Sequence, residues 1–168
     1  MTKTIYLIPG VGANDKIFEN LELAGYDVVH LKWPKHSKHE HLETYVKKLL
    51  PQIKKETQPI LIGMSFGGVV AIELAKYIAP YKTIIISSIK TYHERPLKFL
   101  FLNSLKFHRL VPGKLVVEFR FWLQWLLGRL TTHDYRLIDE MIKEIDIEFN
   151  EWAVDQVIRW KNEWVPEN

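Results

Sequence analysis

The segment Pro59–Pro80, with the sequence PILIGMSFGGVVAIELAKYIAP, decides the fold of this chain. Its first apolar run, Ile60–Ile62, predicts a buried strand, and the apolar residues in its second half recur at helical spacing. Between the two lies a G-x-S-x-G pattern made by Gly63, Ser65 and Gly67. A strand that turns directly into a helix strains the residue at the apex and leaves no room for side chains two positions away. The pattern therefore predicts a tight strand–turn–helix unit with the Ser65 hydroxyl at its apex.

This arrangement is typical of a nucleophile elbow. Gly68 lets the helix begin close to the sheet, and the free backbone N–H groups at the helix N-terminus point toward whatever Ser65 attacks. The alternative is a glycine-rich turn in which the serine has no catalytic role. Because strand, turn and helix occur in the required order, we predict that Ser65 is a catalytic nucleophile and that Gly63, Gly67 and Gly68 shape its turn.

The rest of the first half of the chain alternates strands with helices. Further strands are predicted at Thr4–Ile8, Asp27–Leu31 and Thr83–Ile86, and helices at about Asp15–Ala24 and Leu42–Ile53. Such alternation predicts a parallel sheet with right-handed crossovers. In these sheets ligands bind beyond the carboxyl ends of the strands, where Val11, Ser65 and Ser87 are expected to gather.

Three stretches resemble the α/β-hydrolases, in particular small bacterial serine hydrolases: IYLIPGVGANDKIF (Ile5–Phe18), GMSFGG (Gly63–Gly68) and IISSIK (Ile85–Lys90). The resemblance implies an α/β fold with a parallel sheet in the spatial order 2-1-3-4 and a C-terminal helical cap. Residues 1–90 would form the N-terminal part of the core and residues 91–168 the cap. It also implies an oxyanion hole made by the backbone N–H groups of Val11 and Phe66.

The Gly10-Val11-Gly12 loop has a second interpretation as the start of a dinucleotide fingerprint. The third glycine of that motif would fall at position 15, which is Asp15, so the fingerprint is not favoured. The segment from His36 to His41 contains three histidines and a glutamate, but its order does not match a metal-binding motif. We predict a solvated loop there, no metal site and no cofactor.

Beyond Lys90 the chain is rich in Leu, Phe and Trp, and helices are expected near 97–105, 115–127, 135–145 and 148–160. No apolar run approaches the roughly 20 residues that cross a bilayer. Between positions 97 and 130 there are six basic residues and one acidic residue, Glu118. This excess of positive charge would suit weak contact with a membrane surface. We favour a helical cap that covers the active site and shapes an acyl pocket; the two interpretations are compatible.

A serine hydroxyl needs a base to take its proton and an acid to orient that base. Within residues 1–168 the histidine would be His108 or His133, and the acid would be Glu94 or Glu118. Glu73 is excluded because it lies inside the helix that follows Ser65. The resemblance instead implies that acid and histidine follow strands beyond the cap. We therefore expect residues 1–168 to be the N-terminal part of a longer hydrolase, with its acid and base elsewhere and little activity alone.

Composition excludes several other classes of protein. The net charge of +3 is too small to predict nucleic-acid binding, and without cysteine there is no disulfide or thiolate metal site. The N-terminus enters a strand at once, so a cytoplasmic protein is expected.

Two functions remain open: a serine hydrolase acting on a carboxylic ester or related acyl substrate through an acyl-enzyme on Ser65, or a non-catalytic hydrolase-like module that binds an apolar ligand or partner. No obligate partner is identified. The strand Thr83–Ile86 is apolar on both faces, so without a further strand beside it the sheet would have an exposed hydrophobic edge. Completion of that edge by a second copy or a partner strand is a third interpretation.

Overall fold

The computed structural model describes residues 3–54, 58–95 and 131–167. Four parallel strands form one sheet in the order β2-β1-β3-β4, which confirms the predicted fold class and strand order. The strands are β1 (Thr4–Ile8), β2 (Asp27–His30), β3 (Ile60–Met64) and β4 (Lys82–Ile86).

The central strand β1 is buried along its whole length because it has a strand on each side and a layer on each face. Its residues alternate between two hydrophobic clusters. Tyr6 and Ile8 pack into the larger cluster, together with residues of the segments 42–45, 66–75 and 149–153. Ile5 and Leu7 pack into a smaller cluster with Phe18 on the opposite face. This alternation fixes the register of the sheet.

Four α-helices lie in the described residues: α1 (Leu42–Tyr45), α2 (Phe66–Ile78), α3 (Thr132–Lys143) and α4 (Ile147–Arg159). Short 3₁₀ helices cover Asp15–Phe18, Val46–Gln52 and Tyr92–Glu94. The predicted helices near 135–145 and 148–160 correspond to α3 and α4, within two or three residues at their ends. Those expected near 97–105 and 115–127 lie outside the described residues.

Two predicted helices were wrong in extent or type. The helix expected over Asp15–Ala24 is only the 3₁₀ turn Asp15–Phe18. Beyond it Leu21 is exposed and Leu23 is only partly buried, so a longer helix would gain little from packing. The helix expected over Leu42–Ile53 is α-helical for four residues and then tightens to a 3₁₀ helix. Pro51 lies in this second part, where it has no N–H to donate to an α-helical carbonyl.

Within the described residues β4 pairs only with β3, so one edge of an apolar strand is open there. Ile84 of this strand is 38% exposed, in agreement with the exposed hydrophobic edge that the sequence predicted. None of the helices in the described ranges combines the length and apolar character needed to cross a bilayer. The division at residue 90, the cytoplasmic location and the membrane-surface contact stay predictions.

Candidate active site

Ser65 lies at the apex between β3 and α2, as predicted. Its backbone has φ 52° and ψ −119°, a conformation that residues other than glycine rarely adopt. The Ser65 N–H donates to the carbonyl of Ile86 at 2.9 Å. Its own carbonyl accepts from the N–H of Gly68 at 3.0 Å and from the Ser88 hydroxyl at 2.6 Å. The strained residue is therefore held on both sides by hydrogen bonds.

The three elbow glycines leave no room for a side chain. A Cβ added at Gly63 would lie 2.2 Å from the carbonyl oxygen of Gly67, and one at Gly67 would lie 2.1 Å from that of Ile8. A Cβ at Gly68 would lie 2.4 Å from the Ser88 hydroxyl oxygen. These distances are far inside van der Waals contact, so each glycine is required by close packing of α2 against the strands.

The side chain of Ser65 is exposed to a cavity of about 480 Å³ at the carboxyl ends of the strands. Val11, Phe66 and Ser87 line the same cavity, so the structure brings together the residues that the sequence placed at this edge of the sheet. The wall of the cavity is mainly apolar where the structure describes it. Its remaining described residues are Val69, Ser88, Ile89, Glu94, Arg95, Val154 and Val157. A cavity of this size and character suits an apolar or acyl ligand.

The two predicted oxyanion donors have no competing partner. Among the described residues neither the N–H of Val11 nor that of Phe66 donates a hydrogen bond. The loop that carries Val11 lies directly against Ser65, since a Cβ added at Gly10 would be 3.2 Å from the Ser65 Cβ and 3.8 Å from its Oγ. Val11 and Phe66 therefore line the cavity with backbone N–H groups that have no acceptor within the described residues.

Ser88 makes a contact to Ser65 that the sequence did not predict. Its hydroxyl donates to the Ser65 carbonyl and packs where a larger residue at position 68 would clash. Ser87, just before it, has φ 47°, so the chain turns sharply at the end of β4. The sequence shows two serines directly after an apolar strand, but it does not indicate whether the Ser88 side chain contacts Ser65 or is exposed to solvent.

Replacing Ser88 with alanine is expected to slow acylation of Ser65 by about tenfold, because the carbonyl of the strained residue loses its side-chain donor. The free energy of unfolding should fall by only about 1 kcal/mol. The rate is measured as covalent labelling of the full-length protein by a fluorophosphonate, and stability by urea unfolding. Ser37→Ala, at an exposed serine distant in sequence, is the matched control. An unchanged labelling rate in Ser88→Ala would refute the positioning role.

Of the internal triad candidates that the structure describes, His133 lies away from Ser65. The ring of His133 binds the Glu19 carboxylate at 2.6 Å on the surface and does not line the cavity. Glu73 is buried, and its Oε1 accepts from the Trp160 indole at 2.7 Å and from Lys76 at 2.6 Å. His108 and Glu118 lie outside the described residues.

Glu94 does line the cavity, but its carboxylate is held by Lys90. The Lys90 backbone N–H donates to Oε2 at 2.9 Å, and the Lys90 ammonium lies 3.2 Å from Oε1. These contacts, led by the backbone hydrogen bond, lower the pKa of Glu94 below its ordinary value. Glu94 is therefore ionised at neutral pH and already has partners. Within the described ranges no histidine or carboxylate is hydrogen-bonded to the Ser65 hydroxyl.

The His36–His41 segment is only partly the solvated loop that the sequence predicted. The His36 ring stacks on Trp152 of α4, with centroids 5.1 Å apart, and lies beside Phe149. The described residues contain no group of three or more histidines and carboxylates placed to hold a metal ion. His36 therefore takes part in packing α4 against the core.

Comparison with known proteins gives matches in structure. No model of a protein family matches the sequence, and no curated protein matches it. MenH from S. aureus is similar with a TM-score of 0.72 and 17% identity, over 98% of this chain and 70% of that one. A hydrolase from Pseudomonas aeruginosa PA01 is similar with a TM-score of 0.70 and 13% identity, over 95% of this chain and 65% of that one. The bottromycin epimerase BotH, solved with bottromycin A2, has a TM-score of 0.65 and 15% identity, over 100% of this chain and 70% of that one.

At such identities the likeness establishes a shared fold and leaves the reaction open, as the presence of an epimerase among the three illustrates. The chain spans between 65% and 70% of the length of these solved chains.

Proposed function

We propose that this chain, which has the α/β-hydrolase fold, carries the nucleophile of a serine hydrolase that acts on carboxylic esters or related acyl compounds. One observation carries the proposal. The strained turn exposes Ser65 to a mainly apolar cavity, which is also lined by Val11 and Phe66, two residues whose backbone N–H groups have no acceptor within the described residues.

In the proposed reaction the Ser65 Oγ attacks the carbonyl carbon of the ester, and its proton passes to a base. The carbonyl oxygen becomes an oxyanion, which the N–H groups of Val11 and Phe66 would stabilise by hydrogen bonds. The ester C–O bond then breaks, and the alcohol leaves with the proton. Water attacks the acyl-enzyme in the second half of the reaction and releases the acid. We assign the role of the base to none of the described residues.

The two oxyanion donors should matter about as much as the base. Removing one donor from such a site typically costs about 3 kcal/mol of transition-state stabilisation. Because both donors are backbone groups, their direction depends on the Gly10 loop and on the N-terminus of α2. The apolar wall formed by Val69, Val154 and Val157 would then hold the acyl chain away from water.

Covalent labelling of the full-length protein with a fluorophosphonate tests the proposal. We expect a single adduct, which mass spectrometry should locate on Ser65 and not on the neighbouring Ser87 or Ser88. Ser65→Ala should abolish both the adduct and the hydrolysis of short-chain 4-nitrophenyl esters. Ser37→Ala, which changes a serine of the exposed loop, serves as the matched control and should retain both.

Absence of an adduct in the folded full-length protein, or an adduct that survives Ser65→Ala, would contradict the proposal. In the first case the non-catalytic alternative would stand, namely a hydrolase-like scaffold whose cavity binds an apolar ligand without turnover.

A further inference from the structure

Arg95 is the one cation among the described residues that line the Ser65 cavity. It follows the 3₁₀ helix Tyr92–Glu94 and is half-buried. Apart from Glu94, the other described lining residues are apolar or are serines. A charge in mainly apolar surroundings interacts more strongly with an opposite charge than it would in water.

No carboxylate of the described residues pairs with the Arg95 guanidinium. The nearest acidic residue in sequence, Glu94, is bound to Lys90 through both carboxylate oxygens. The guanidinium instead donates to main-chain carbonyls: Nε to Tyr92 at 3.2 Å, Nη1 to Ile158, and Nη2 to Trp160 at 2.8 Å. The last two carbonyls lie at the C-terminus of α4, whose partial negative charge offsets only part of a full positive charge.

These contacts also fix the guanidinium in place. Of the five N–H donors of an arginine, three are used by the carbonyls, and one on each terminal nitrogen has no partner within the described residues. A planar group held by three hydrogen bonds loses little further freedom when it binds a ligand. These two donors would be available to the oxygens of a carboxylate, which is an acceptor only.

We propose that Arg95 recognises a carboxylate on the substrate, so that the compound cleaved at Ser65 is an acyl ester with a second, anionic end. The inference rests on the proposed function for the identity of the scissile end. The apolar part of the wall would contact the methylene chain between the two ends. Arg95 is then a specificity-determining residue, in addition to joining the segment after β4 to the end of α4.

Binding to the Ser65→Ala variant of the full-length protein tests this inference without requiring turnover. The ligands are the monomethyl and dimethyl esters of succinic, glutaric, adipic and pimelic acids, titrated by calorimetry. Each pair differs only in whether one end is charged. We expect at least one monomethyl ester to bind roughly 10- to 100-fold more tightly than its dimethyl partner. The best chain length would report the separation between position 65 and the guanidinium.

Adding Arg95→Met to this variant should remove the difference within each pair, and Arg95→Lys should keep part of it, because a lysine retains the charge without the planar fork. Lys161→Met is the matched control, since it removes a cation from an exposed side chain near Trp160 that does not line the cavity. It should leave the preference unchanged. Equal binding of charged and neutral esters, or a preference that survives Arg95→Met, would overturn the inference.

The measurement on Ser65→Ala is decisive even if Arg95→Met does not fold. The outcomes also separate the two proposals. Charge-dependent binding in a protein that a fluorophosphonate does not label would refute the hydrolase and leave the anion site. Labelling at Ser65 with no charge-dependent binding would leave the hydrolase and refute the anion site.

Discussion

Gly67→Ala is expected to lower the free energy of unfolding by about 3 kcal/mol or more and to prevent labelling of Ser65. The added Cβ would lie 2.1 Å from the carbonyl oxygen of Ile8 and 2.4 Å from that of Pro9. Both neighbours are backbone atoms at the end of β1, so neither can move aside by changing a rotamer. Relief requires the start of α2 to move away from the sheet, which would also displace the Phe66 N–H. Urea unfolding followed by circular dichroism measures the loss.

Gly25→Ala is the matched control for this prediction. Gly25 has φ 86°, but a Cβ there would meet no atom within 4 Å. The substitution therefore adds only backbone strain, which we expect to cost about 1–2 kcal/mol without any change in labelling. Similar losses in the two variants would show that backbone strain, and not close packing at the elbow, sets the requirement for glycine at position 67.

The sequence was sufficient to predict the sheet because its signals there are local and strong. β1 is bounded by Pro9, and β3 runs directly into the glycine-rich turn, so periodicity and turn chemistry agree at the same residues. The strand order followed from the resemblance and is confirmed. The same segment predicted that Ser65 would lie at the carboxyl edge of the sheet, where the structure places it.

The remaining features depend on contacts between distant parts of the chain. Two of the three carbonyls bound by Arg95 belong to residues more than sixty positions away, and a backbone carbonyl has no sequence signature. His36 was predicted to be solvated because its neighbours are polar, yet it stacks on Trp152. Such contacts exist only after α4 has packed, so no local pattern could predict them.

Trp152 is the centre of an aromatic cluster that joins α4 to the core and to the elbow. Its ring centroid lies 4.5 Å from that of Tyr45, 5.6 Å from Phe149 and 6.1 Å from Phe66, the residue after Ser65. The indole N–H donates to the carbonyl of Glu40 at 2.9 Å. Burial raises the pKa of Tyr45 well above its ordinary value, so its phenol stays protonated and donates to the carbonyl of Pro34 at 2.8 Å. Both polar groups of this aromatic pair are therefore satisfied.

Trp152→Ala is expected to lower the free energy of unfolding by about 3–5 kcal/mol, because it removes a large buried side chain and leaves a cavity that its rigid aromatic neighbours cannot fill. It should also slow labelling of Ser65, since Val154 and Val157 on the same helix form part of the cavity wall. Trp152→Phe, which keeps the ring stacking but not the hydrogen bond to Glu40, should lower the free energy of unfolding by less than half as much.

Trp164→Ala is the control for this prediction. This tryptophan is 44% exposed, against 7% for Trp152, and its removal should change stability by less than about 1 kcal/mol. Equal destabilisation by the two alanine variants in urea unfolding would show that α4 does not pack on the core through Trp152.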